Sequence, residues 1–130
     1  MRKILCFVGC ACLLAGCGGG GNDRIPSPFR GSYSGTVFVD GDAGENMRLT
    51  IASDGTISGS ETVGAATAAD TGFVDNNGRI DITSRLAGTS DLFYSGTVGY
   101  NFNGHLVGSG TARQGGNSTS FSFNLTPTSF

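Results

Sequence analysis

The chain has 130 residues, a formal net charge of −2, 23 glycines, one histidine, four cysteines and no tryptophan. That length gives room for one small domain. The charge balance excludes the basic stripe of a nucleic-acid binder, and one histidine without cysteines in the folded part excludes a transition-metal site of the usual donors.

The chain opens MRKILCFVGCACLLAGC. Arg2 and Lys3 make a short positive start, and Ile4 to Ala15 is uncharged, apolar and small-residue rich. Order and length predict a secretory signal, too short to span a bilayer comfortably. Its last four residues, Leu14-Ala15-Gly16-Cys17, resemble the lipobox of bacterial lipoproteins. The resemblance implies cleavage between Gly16 and Cys17, a diacylglycerol on the Cys17 thiol and acylation of the new amino group. Each buried acyl methylene contributes about 0.8 kcal/mol, so one chain holds marginally whereas two or three attach the protein practically for good. Residues 1–16 are thus expected to be removed. Residues 17–28, with Gly18 to Gly21 and Asn22 at their start, read as a flexible tether, because glycine resists ordering and buries nothing. Gly18 rather than aspartate follows the cysteine, which by resemblance to enterobacterial sorting favours the outer membrane.

Removing Arg2 and Lys3 leaves six arginines against ten carboxylates, a charge of about −4. All four cysteines (Cys6, Cys10, Cys12 and Cys17) lie in the signal or at the anchor. The folded part therefore has no disulfide, thiol nucleophile or thiolate metal site, and must close its core without staples.

From Gly31 onward apolar residues recur every second position, the period of a half-buried strand. Tyr33, Gly35, Val37 and Val39 share one face; Asn46 to Ile51 and Arg79 to Thr83 alternate; Leu92, Tyr94, Gly96, Val98 and Tyr100 share a face; Ser120 to Thr126 alternates without a break. Turn chemistry separates these runs at Asp40-Gly41, Asp54-Gly55, Asn77-Gly78, Asn103-Gly104 and Gly115-Gly116. Eight strands are expected near 31–39, 46–53, 56–63, 68–74, 79–85, 91–100, 104–113 and 118–126; the fourth has the least β preference. Short connections make successive strands antiparallel neighbours. An all-β domain over 29–130 follows: a small antiparallel up-and-down barrel of about eight strands, with a β-sandwich or a partly open barrel as the alternative.

Tyr33-Ser34-Gly35-Thr36-Val37 recurs as Tyr94-Ser95-Gly96-Thr97-Val98, by duplication or by convergence on one solution to coiling. Gly59, Gly96, Gly108 and Gly110 read as curvature sites where a strand coils beside a bulky ring.

Chemistry-bearing residues are few. His105, the lone histidine, reads as a surface residue. Asp40, Asp42 and Glu45 cluster in one loop, but Gly44 stands where a calcium loop needs a ligand, so a solvated acidic loop is expected and no metal or other cofactor. No G-x-S-x-G elbow or paired His and Ser suggests a hydrolase, and nothing in the sequence brings Asp81 and Asp91 together as a glycosidase pair. The expectation is a non-enzymatic protein. Tyr33, Phe73, Tyr94, Tyr100, Phe121 and Phe123 suffice to fill a small barrel. Gly31-Ser32-Tyr33 is similar to the Gly-x-Trp start of lipocalins, with Tyr in place of Trp, and that likeness implies the alternative, a carrier of a small apolar ligand. Strands mostly shorter than the 9–11 residues of a membrane barrel, and no aromatic girdle, argue against insertion. Together these readings predict a lipid-anchored outer-membrane protein, facing the periplasm or the cell surface. It holds the membrane through Cys17 and meets an unknown protein or small apolar ligand through its barrel.

Overall fold

A computed structural model describes residues 26–40 and 44–128. It contains eight strands: β1 (Gly31–Val39), β2 (Glu45–Ile51), β3 (Thr56–Val63), β4 (Ala66–Val74), β5 (Arg79–Arg85), β6 (Leu92–Tyr100), β7 (Leu106–Gln114) and β8 (Asn117–Pro127). Each pairs antiparallel with the next. β8 returns to β1, with Gly35 opposite Leu125 and Val37 opposite Phe123, and closes an up-and-down barrel. Closure is what removes the exposed edges of a meander. The sandwich and the open barrel are thereby set aside.

Strand alternation sorts the side chains. Phe121, Phe123 and Leu125 of β8 are buried, whereas Ser118, Ser120, Ser122, Asn124 and Thr126 between them are exposed. Tyr33, Val37, Met47, Leu49, Ile51, Ile57, Ile80, Ile82, Tyr94 and Leu106 join them in one continuous core. Apolar inside and hydroxyl-rich outside is the order of a barrel bathed in water; a lipid-facing barrel reverses it.

Two ends can be named. The proximal end receives the chain at Pro26 and carries the β2–β3, β4–β5 and β6–β7 turns; the distal end carries the connections after Val39, Val63, Arg85 and Gln114.

The strand of least β preference forms in full as β4, because β3 and β5 supply its ladder on both sides, a tertiary pairing that overrides weak local preference. Two expected core aromatics are not in the core. Phe73 falls on the outward phase of β4, between inward Gly72 and Val74, and is 51% exposed. Tyr100 has the inward phase but ends β6 at the rim, 46% exposed. The glycines divide into two kinds. A Cβ on Gly108 would collide with the Phe123 ring, as expected for a coil beside a bulky group. A Cβ on Gly59, Gly96 or Gly110 would instead strike a carbonyl oxygen of the neighbouring strand. These three, with Gly35 and Gly72, permit a close backbone approach.

Candidate functional site

The interior holds two carboxyl groups. Glu61 follows Ile57 and Gly59 on the inward phase of β3, and Asp70 shares the inward phase of Ala68 and Val74 on β4; each is 1% exposed. Glu61 lies opposite Ala68, so Asp70, two residues on, is its diagonal neighbour on the same face. Ser84 of β5 stands directly across the ladder from Asp70. From β6, the Tyr94 hydroxyl donates to Glu61 Oε1 at 2.9 Å. Glu61 Oε2 and both Asp70 carboxyl oxygens are buried without a hydrogen-bond partner. Glu45, on the inward phase of β2, adds its negative charge from the distal side.

Burial sets the electrostatics. It disfavours the charged form of Asp70, and the neighbouring Glu61 carboxylate adds repulsion, so the Asp70 carboxyl is pushed up from 3.8 to about 8. Burial and then the same Glu61 charge push the Tyr94 phenol far above its ordinary value, which keeps it a hydrogen-bond donor. The cluster therefore stores a proton on Asp70 at neutral pH. With both acids at 1% exposure, the cluster is a proton-holding element of the core.

The proximal end is closed by the chain just ahead of β1. Ser27 N–H donates to Ser53 O at 2.7 Å, and buried Phe29 stacks on Tyr100 with ring centroids 5.7 Å apart. Tyr33 Oη donates to Phe29 O at 2.7 Å and lies 2.5 Å from Tyr100 Oη, which also reaches Pro28 O at 3.2 Å. Burial and the Tyr100 hydroxyl push the Tyr33 phenol well up. Beside this plug, the β6–β7 turn projects Phe102 at 98% exposure.

Gly16, Cys17 and Asp42 lie outside the described residues. Asp40 is exposed, whereas Glu45 opens β2 on the inward phase and is half-buried. Of the acidic loop's described carboxylates, Asp40 thus faces solvent while Glu45 takes the inward phase. Among the described residues no three His, Cys, Asp or Glu side chains are placed to hold a metal ion. His105 Nδ1 lies 2.8 Å from Asn124 Oδ1 on the next strand. Asp81 accepts from Ser95 Oγ at 2.6 Å, and Asp91 pairs with Arg85 at 3.3 Å. Sequence reasoning missed Glu61 and Asp70; the signal was their phase, with Ile57, Gly59, Glu61 and Val63 on one side of a strand.

No protein-family model and no curated protein matches the chain.

Proposed function

We propose that this protein is a non-enzymatic, lipid-anchored component of the bacterial envelope, held in the outer membrane through Cys17, whose barrel works by contacts on its outer surface. The observation that carries the surface reading is the filled interior. From Phe29 at the proximal end to Phe121 toward the distal end, side chains of one contiguous cluster occupy the barrel. A carrier of an apolar ligand needs free interior space; the closed barrel is compatible with that lipocalin-like alternative, and the contiguous cluster favours the surface reading over it. Outside, an open groove of about 510 Å³ runs past Phe38, Val107 and Asn124, and the wall otherwise presents hydroxyls suited to transient polar contact.

The anchor is tested by changing Cys17 to Ser, labelling cells with palmitate and fractionating them. Loss of label and release from the membrane fraction are expected. Unchanged label and unchanged membrane retention would overturn it. The surface reading is tested by cross-linking in intact envelopes from probes at Phe38 and Val107. A defined cross-linked species supports it. Absence of one, together with uptake of an apolar dye into the barrel, would favour the carrier.

A further inference from the structure

The geometry points to a second membrane contact: we infer that Phe102 seats in the interface of the same phospholipid bilayer that holds the acyl chains of Cys17, with the barrel standing on its proximal end. The inference rests on the lipid-anchor reading above.

The Phe102 ring does nothing for the fold. Its turn is fixed by Asn101, whose side-chain oxygen accepts from Asn103 N at 2.9 Å and His105 N at 3.0 Å, and whose carbonyl accepts from Gly104 N at 2.9 Å. Gly104 supplies the positive φ, +81°, that the turn requires. The ring is left 98% exposed on a turn held by its neighbours. A phenyl ring presented in this way gains free energy by leaving water for an apolar surface.

The phase is identified by where the chain enters. Cys17 and Pro26 are nine residues apart, so the acyl group lies within about 30 Å of the proximal end, the reach of a fully extended chain of that length. The proximal rim has the composition of an interfacial surface. Half-exposed Tyr100 flanks Phe102, exposed Pro26 and Pro28 adjoin the plug, and Phe73 faces outward one residue from the proximal end of β4. Arg30 and Arg79 at this end offset Asp54 and Asp75, so the rim carries little net charge against anionic headgroups. A Tyr ring, with one polar edge, favours the headgroup boundary, and Phe rings beside it suit the apolar side of the same boundary. The barrel wall, with its outward serines and threonines, does not suit lipid. Contact is therefore confined to the end.

Absence of tryptophan from the chain makes the test clean. Phe102→Trp and, as the control near the distal end, Phe93→Trp each give a single emitter. Both full-length lipidated proteins are placed in phosphatidylethanolamine–phosphatidylglycerol vesicles with a fraction of brominated acyl chains, and palmitate label is measured on the same samples. With label present, emission from Phe102→Trp is expected to shift to shorter wavelength and to be quenched by bromine, and that from Phe93→Trp to do neither. Quenching of neither, or of both equally, overturns the proposed seating while leaving the anchor intact. Absence of label overturns the anchor and this inference with it.

Discussion

The Tyr94 hydroxyl meets Glu61 Oε1 at 2.9 Å inside the barrel, and the Asp70 carboxyl diagonal to Glu61 has no hydrogen-bond partner of its own. One acid of the pair is thus held by a donor and the other by its own proton. The consequence is a dependence of stability on pH. Asp70 binds its proton more tightly folded than unfolded, so between 3.8 and about 8 the folded state holds more protons than the unfolded one. Stability from this group is full below 3.8 and declines as pH rises toward 8. Thermal melts followed by circular dichroism should show the midpoint falling across that window. Asp70→Asn should flatten the slope and melt higher than the native protein at pH 8. An unchanged slope would remove Asp70 as its source.

Glu61 contributes to holding the proton on Asp70 through its charge, second to burial. Glu61→Gln should therefore move the Asp70 titration downward while leaving it above an ordinary carboxyl. Carbon-detected NMR of the Asp70 carboxyl reads this directly. A midpoint that stays near 8 would assign the whole shift to burial.

Tyr94→Phe removes the only hydrogen bond drawn to a Glu61 oxygen among the described residues and leaves both oxygens unpaired. A loss of about 1–3 kcal/mol is expected. It should be much reduced in a Glu61→Leu background, where no acceptor is stranded; denaturant titration of the four proteins of that cycle tests the coupling.

Glycines at different sites should respond in opposite ways. Gly96→Ala places a methyl against Ser109 O of the next strand, and Gly35→Ala against Asn124 O. Each should cost more than about 2 kcal/mol, since backbone must move. Gly99→Ala meets open space in an ordinary strand conformation and should be neutral or slightly stabilising. Equal effects at Gly96 and Gly99 would refute the close-approach account.

Phe29→Ala should open the proximal plug, where the ring is 8% exposed and stacks on Tyr100. A loss of about 2–4 kcal/mol is expected, with the Tyr33 phenol becoming accessible to iodination. Unaltered stability would mean that the plug does not close the core.

Much of this fold is legible in the chain. The unbroken alternation of Ser120 to Thr126 and the Asp-Gly and Asn-Gly pairs locate strands and turns because both signals are local. Barrel closure is not local: it depends on β1 meeting β8 across some ninety residues, which no turn motif encodes. Phe73 defeats a reading by residue type, since a ring suggests core, while its phase on β4 opposes Val74. Glu61 and Asp70 defeat it for the converse reason. Carboxylates usually face water, and strand phase, followed strictly, sends these two inward. The Tyr-Ser-Gly-Thr-Val echo gains a structural meaning. β1 and β6 run in opposite directions, so Tyr33 ties the proximal plug and Tyr94 ties the distal acid pair, while Gly35 and Gly96 each press a neighbouring strand.

The nine residues of β1 span roughly 20 Å of barrel height once tilt is allowed for. If the molecule stands on its plugged end, Asp70, four residues from the proximal end of β4, is lifted roughly 10 Å above that end, about one screening length of ~8 Å at physiological salt. Its titration would then sense the sour layer hugging the headgroups only in weakened form, and would be set mainly by the acidity of the open compartment.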